Sequence, residues 1–117
     1  MGNSLGSRQK ITRVVKGEVW YAYDEKSTKI RPFLIISEEL SGIEVDISVV
    51  PTTTQEKRNP FDIDIEFWKE AGLSKPSTAR CSKIHYISHM FLKRKLGSLD
   101  ERDLEKVNEA MRQYLGL

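Results

Sequence analysis

Apolar positions along this chain form short runs that are separated by polar turns. The runs are rich in aromatic and β-branched residues, and one of them, FDIDI, alternates apolar with acidic side chains. Both patterns are typical of β-strands. Ser41-Gly42 predicts a turn that joins two of the runs as a hairpin. The predicted strands cover residues 18–23, 31–37, 45–50, 61–65, 77–87 and 91–96.

The end of the chain has a different period, which predicts an amphipathic helix. Ser98 and Glu101 have the spacing of a capping box, and Gly116 supplies a stop signal. The residues between them place an apolar stripe on one face: Leu104, Val107, Met111, Tyr114 and Leu115. Short strands followed by one helix predict an α+β fold that is mainly β, a small antiparallel barrel or half-barrel covered by the helix.

Length and composition describe one ordinary globular domain. The chain has 117 residues, of which 38% are hydrophobic and 31% charged, with a net charge of +2. Residues 1–10 are polar and predict a flexible start, so the domain is expected to span 11–117. The single cysteine fits a reducing compartment, and no apolar run reaches the roughly 18 residues of a membrane helix. We therefore expect a cytoplasmic protein.

An arginine at the start of a buried strand is the first candidate for chemistry. Arg31-Pro32 opens the run 31–37, and a hydroxyl cluster, Thr52–Thr54, follows the neighbouring run. An arginine fork and hydroxyl groups suit a reaction in which negative charge develops on phosphate oxygens. From the residues alone, an ion pair at the rim beside a threonine turn is the interpretation that we favour.

Further candidates are weaker. Basic residues cluster in two loops and in residues 75–95, where they either contact phosphates or form a solvated edge. Cys81, His85 and His89 are four residues apart and would share one face of a helix. Their surroundings are strand-like, so no metal site is predicted, and no motif for a cofactor is present. Trp20 is expected to be part of the core rather than a surface for stacking bases.

Several blocks of the sequence, in order, resemble the MazF/PemK toxins. Each block is short, but together they cover most of the chain: residues 17–20 (GEVW), 31–37 (RPFLIIS), 49–53 (VVPTT), 95–100 (KLGSLD) and 114–117 (YLGL). The resemblance implies an SH3-like barrel and a homodimer. It also implies a toxin of a type II toxin–antitoxin system, with a cognate antitoxin as its partner.

The resemblance further implies an enzyme, a sequence-specific endoribonuclease that cuts single-stranded RNA without a metal or cofactor. Attack of a 2′-hydroxyl on the adjacent phosphate would leave 2′,3′-cyclic phosphate and 5′-hydroxyl ends. Arg31 matches the catalytic arginine of the family, and Thr53 matches the threonine of its V-V-P block. The alternative is a non-catalytic member of the fold that binds RNA, gyrase or an antitoxin peptide.

Two departures from the family pattern affect the site. The loop from Asp24 to Ile30 is short and lacks glycines, and the D-Q-I-R-T block of the family falls on Ser82–Tyr86. His85 therefore occupies the position of an arginine, and we expect it either to act as acid or base or to be a hydrogen-bonded strand histidine. The predicted RNA-binding residues are Lys29, Thr52, Thr54, Lys57, Arg58, Arg80, Lys83 and Tyr86.

Overall fold

The computed structural model describes residues 13–38, 40–41 and 46–117 of the chain. The predicted flexible start and Gly42 of the predicted turn lie outside these residues. The described strands are β1 (Arg13–Val14), β2 (Glu18–Asp24), β3 (Lys29–Ile35), β4 (Leu40–Ser41), β5 (Asp46–Thr53), β6 (Asp62–Ile65), β7 (Ser77–Arg80), β8 (His85–Ser88) and β9 (Leu92–Ser98). A short 3-10 helix (His89–Phe91) precedes β9, and the α-helix α1 (Glu101–Leu115) follows it.

The main sheet is antiparallel at every pairing, in the order β6-β7-β5-β3-β2-β9. Strand β5 pairs with β3 along one edge and with β8 and then β7 along the other. Among the described strands no pairing joins β6 to β9, so the sheet does not close into a complete barrel. The predicted α+β class, an antiparallel sheet with a C-terminal helix, is confirmed.

Strand β3 explains why its sequence is a continuous apolar run. Leu34 packs in the core cluster beneath α1, whereas Phe33 and Ile35 pack in a second cluster on the other face of the sheet. A central strand covered on both faces needs apolar residues at successive positions. Trp20 belongs to the second cluster and is 8% exposed, as predicted for a core residue.

Helix α1 is present as predicted, but its first cap is not Ser98. Ser98 is the last residue of β9, paired with Glu18, and Asp100 caps the helix by accepting the N–H of Arg102 at 2.9 Å. Gly116 ends the helix in the left-handed conformation, at φ 76°. Within the described part of the chain, no helix is both long and apolar enough to span a membrane.

The helix also buries a carboxylate that the apolar stripe did not predict. Both oxygens of Asp103 are hydrogen-bonded, one to the N–H of Glu66 at 3.1 Å and the other to the N–H of Phe67 at 2.9 Å. The helix is thereby attached to the segment that follows β6. That segment is a series of turns ending at Gly72, whose φ is 83°.

Candidate active site

Strand β3 emerges from the core at its first residues, and Arg31 lies there with half of its side chain exposed. Phe33 pairs with Pro51, and the Thr52 hydroxyl donates to the Pro32 carbonyl at 3.1 Å. The pairing ends at Phe33 and Pro51, and extending its register by two residues would set Arg31 across from Thr53. The two predicted catalytic residues therefore occupy neighbouring strands at one end of the sheet.

A turn of four residues between β2 and β3 supports Arg31. The Nε–H of Arg31 donates to the Ser27 hydroxyl oxygen at 3.0 Å, and this hydroxyl donates to Oδ2 of Asp24 at 2.8 Å. Asp24 Oδ2 is itself 3.9 Å from the Arg31 Nε. Among the described residues both contacts use Nε, so the two terminal amino groups of Arg31 are left to bind an oxygen ligand.

The carboxylate of Asp24 is ionised despite its partial burial. Burial alone would raise its pKa, but hydrogen bonds from the Ser27 hydroxyl and the Lys26 N–H, together with the charge that His85 carries when it is protonated, lower the pKa below its usual value. A negative charge is therefore fixed behind Arg31 at neutral pH.

The three threonines after the V-V-P segment have different environments. Thr52 is buried, and its hydroxyl is used by Pro32. The oxygen of Thr53 accepts the N–H of Gln55 at 3.2 Å, so its hydroxyl hydrogen is available to a ligand. Thr54 is exposed. Of the three hydroxyls, that of Thr53 is the one whose oxygen is held by the backbone while its hydrogen can still be donated.

His85 lies on β8 across from Val49, on the face of the sheet that carries Phe33. Its ring centroid is 5.7 Å from that of Phe33. Burial lowers the pKa of His85, the Asp24 carboxylate raises it, and Lys26 and Lys83 lower it, so that the net shift is below the ordinary 6.5. The imidazole is accordingly neutral at neutral pH.

A cleft of about 270 Å³ opens beside His85, and we call it the His85 cleft. Tyr86 at its rim is 70% exposed, and Tyr23 packs edge-on against Phe91 with centroids 5.8 Å apart. Aromatic walls with charged groups at the rim can accommodate an unstacked nucleobase. The cleft is lined by Tyr23, Asp24, Glu25, Lys26, Ile84, His85, Tyr86, Ile87 and Phe91.

The basic residues predicted to bind RNA fall into two groups. Lys29, Lys57, Arg58 and Lys83 are exposed. Arg80 is 6% exposed, and its guanidinium donates to Asp62 Oδ2 at 2.7 Å and to the Gln55 side chain at 3.1 Å. Arg80 is therefore engaged inside the protein, where it anchors the loop that follows Thr53.

Asp24, Ser27 and Gln55 are the site residues that sequence reasoning missed. Asp and Ser are frequent in turns because their side chains bond to nearby backbone, and Asp24 here accepts the Lys26 N–H at 3.2 Å. The turn could be predicted from these residue types, but the contact with Arg31 could not.

Cys81 is fully buried, and burial together with the charge of Asp62 raises the pKa of its thiol to about 12, which excludes it as a nucleophile.

Comparison with known proteins identifies the family. The family model described as "PemK-like, MazF-like toxin of type II toxin-antitoxin system" matches residues 15–115, which is most of the chain. The chain belongs to this toxin family. A curated relative, the probable endoribonuclease MazF of Mycolicibacterium smegmatis, is 31% identical over 90 residues, covering 76% of this chain and 83% of the relative.

Solved structures of MazF proteins share the fold. The Mycobacterium tuberculosis toxin MazF-mt6 matches with a TM-score of 0.71 and 24% identity, covering 86% of this chain and 97% of that one. A mycobacterial endoribonuclease in complex with its cognate antitoxin matches with a TM-score of 0.71 and 22% identity, over 89% and 96% of the two chains. A MazE–MazF structure from Deinococcus radiodurans matches with a TM-score of 0.70 and 16% identity, covering 90% of this chain and 97% of that one.

Proposed function

We propose that this MazF-like toxin, an endoribonuclease by family, cleaves single-stranded RNA without a metal ion. The 2′-hydroxyl attacks the adjacent phosphorus, the bond to the 5′-oxygen of the next nucleotide breaks, and the products carry 2′,3′-cyclic phosphate and 5′-hydroxyl ends. The observation that carries this proposal is that Arg31, near the start of β3, and Thr53, the last residue of β5, lie on neighbouring strands at one end of the sheet.

Arg31 and Thr53 would stabilise the charge of the phosphorane. The terminal amino groups of Arg31 can donate to two phosphate oxygens in the bidentate manner that a guanidinium allows. Thr53 can donate its hydroxyl hydrogen because its oxygen is held by the Gln55 N–H. Donors fixed before the reaction stabilise developing charge without reorganisation.

His85 is the proposed group that transfers protons. Arginine is a poor general base at its normal pKa, whereas a neutral imidazole can take the proton of the 2′-hydroxyl or, once charged, give one to the leaving oxygen. Its half-buried position and lowered pKa support this role. The interaction with Asp24 links His85 to the turn that holds Arg31.

Sequence specificity is proposed to arise in the His85 cleft, where a base next to the scissile phosphate would stack on Tyr86. Lys29, Lys57, Arg58 and Lys83 would contact phosphates along the strand, since they are exposed. We leave Arg80 and Thr52 out of these contacts because both are buried and hydrogen-bonded within the protein.

The proposed partners are a cognate antitoxin and a second copy of the chain, in the cytoplasm. Structures with the same fold include an endoribonuclease bound to its cognate antitoxin and a MazE–MazF complex. Large apolar side chains that are exposed here also support protein contacts: Tyr86, Met90, Leu115 and Leu117. The lone cysteine is consistent with a reducing compartment.

The test is to incubate the purified protein with a long single-stranded RNA in EDTA and to map the ends of the products. Discrete cuts with 5′-hydroxyl ends are expected. Arg31→Ala should lower kcat about 10³-fold, since it removes the main charge stabilisation. Its control is Arg112→Ala, which removes an exposed arginine from α1 and should leave cleavage unchanged.

Two results would count against the proposal. Cleavage that requires a divalent metal would exclude the proposed mechanism. Cleavage by Arg31→Ala at the wild-type rate would exclude it too. Binding of RNA or antitoxin with no cleavage at high protein concentration would favour the non-catalytic alternative.

A further inference from the structure

The turn between β2 and β3 contains a connected chain of hydrogen bonds that ends on Arg31. We propose that Asp24 and Ser27 are positioning residues, which orient the guanidinium of Arg31 toward the scissile phosphate. This inference rests on the proposed function, since it assigns the groups that make Arg31 effective in that reaction.

The hydrogen bonds have only one possible direction. Arginine can only donate, so the Ser27 oxygen must accept the Arg31 Nε–H, and its own hydrogen is then directed to Asp24. Asp24 is ionised and can only accept. Because each of these two hydrogen bonds can have only one direction, together they fix the Ser27 rotamer. The Ser27 oxygen in turn fixes the plane of the Arg31 guanidinium.

The contact geometry keeps the reactive end of Arg31 free. A direct ion pair would commonly engage the terminal amino groups, but Asp24 lies 3.9 Å from Nε and reaches it mainly through Ser27. The side chain of Asp24 is 13% exposed and that of Arg31 is 50% exposed. The Asp24 carboxylate at the base of the chain of hydrogen bonds is therefore mostly shielded from solvent, while the guanidinium of Arg31 remains accessible.

Backbone strain in the same turn is a second, independent observation. Thr28 has φ 57°, which is uncommon for a β-branched residue, and its N–H donates to the Asp24 carbonyl at 2.7 Å. Such strain persists only where the surrounding structure determines it, and it is concentrated at functional sites. Here it closes the turn so that Ser27 lies between Asp24 and Arg31.

The test compares Ser27→Ala with Ser27→Thr in the RNA cleavage assay. Loss of the hydroxyl should lower kcat about tenfold with KM changed less than about twofold, because a misplaced group costs transition-state stabilisation rather than binding. Ser27→Thr, which keeps a hydroxyl, should restore most of kcat. Ser74→Ala, at an exposed serine of another loop, is the matched control and should equal wild type.

A double-mutant cycle separates positioning from a general effect on folding. If Asp24 acts through Ser27, the variant Asp24→Asn/Ser27→Ala should be little worse than Asp24→Asn alone. The NMR signal of the Arg31 Nε–H provides a readout that needs no activity, and its exchange with water should accelerate in Ser27→Ala.

The outcomes distinguish the inference from the function on which it rests. Wild-type kcat in Ser27→Ala, no rescue by threonine, or unchanged Nε–H exchange would overturn the positioning role. A wild-type protein that does not cleave RNA would overturn the proposed function, and the exchange measurement would still decide whether Ser27 holds Arg31.

Discussion

Arg31 and Arg80 are both strand arginines beside an aspartate and a polar side chain, yet the structure uses them differently. Arg80 has 7% of its side chain exposed and lies 2.7 Å from Asp62. Arg31 has 50% exposed and lies 3.9 Å from Asp24. Arg80 donates directly to Asp62 and separately to Gln55, whereas Arg31 reaches Asp24 through Ser27.

Burial determines what each arginine can do. A buried guanidinium must have its donors satisfied internally, so Arg80 is committed to the fold. An exposed ion pair contributes little to stability, so Arg31 can exchange solvent for a phosphate at small cost. The same residue type therefore stabilises a loop at one place, and at the other it is accessible for the catalytic role that we propose.

The largest expected effect on stability is that of Arg80→Ala. This change leaves the carboxylate of Asp62 buried without its cation, and it should lower the free energy of unfolding by about 3–5 kcal/mol. Urea unfolding followed by circular dichroism measures the loss. Arg112→Ala is the control and should change stability by less than about 1 kcal/mol, because its ion pair is exposed.

A double replacement sharpens this prediction. Asp62→Leu/Arg80→Met removes both charges, so it should be less destabilised than Arg80→Ala alone. If the double variant were the less stable of the two, the pair would have a role beyond mutual neutralisation, for example through the Arg58 N–H that Asp62 also accepts at 2.7 Å.

The contrast between the two arginines also shows where sequence reasoning succeeds. The apolar run after Arg31 predicted a strand, and the period after Ser98 predicted a helix, because solvent and core impose those periods directly. The sequence pattern placed Arg80 among the exposed cations, because a run of basic residues usually lies at the surface. Its partner Asp62 is 18 residues away in sequence, and only the pairing of β6 with β7 brings the two together.

His85 is expected to give the next largest effect. Removing a proton-transfer group costs about 10² in rate, so His85→Ala should lower kcat by that factor. In the wild type, activity should fall as pH decreases through the His85 pKa, which lies below 6.5. In His85→Ala this acid limb should disappear. A His85→Ala variant that cleaves as fast as the wild type at every pH, with the acid limb still present, would exclude the role.

The charges around His85 set the sign of a second test. The Asp24 carboxylate raises its pKa, and Lys26 and Lys83 lower it. Asp24→Asn should therefore move the acid limb to lower pH, and Lys83→Ala should move it to higher pH. Because folding lowers the His85 pKa, its neutral form contributes to stability at pH 6.5 and above, and that contribution is lost as pH falls through the folded pKa.

The candidate site was also only partly predictable, because the apolar pattern locates strands but not the contacts between side chains. Arg31 and Thr53 come from strand ends whose positions follow from the apolar pattern and from resemblance to the family. Ser27 was not identified, since a polar turn residue carries no sign of the side chain it will contact. Gln55 was missed likewise, because its contacts with Thr53, Arg58 and Arg80 depend on the path of the loop.

The smallest expected effect is that of Arg58→Ala, and it tests whether the two arginine regions are joined. Gln55 Oε1 accepts from buried Arg80 at 3.1 Å and from exposed Arg58 at 3.0 Å, so Arg58 is held near Thr53 by the same amide that the fold fixes. If Arg58 contacts one phosphate, its loss should weaken RNA binding a few-fold and reduce the slope of log K against log salt by about 0.7.

The binding measurement uses a single-stranded RNA with a 2′-deoxy substitution at the cleavage site, titrated at several salt concentrations. Lys106→Ala, which removes an exposed lysine of α1, is the control and should leave the slope unchanged. Gln55→Ala should reproduce part of the loss, because Arg58 then keeps its charge but not its position. An unchanged slope in Arg58→Ala would mean that the RNA does not reach this loop, and that Gln55 supports Thr53 and Arg80 alone.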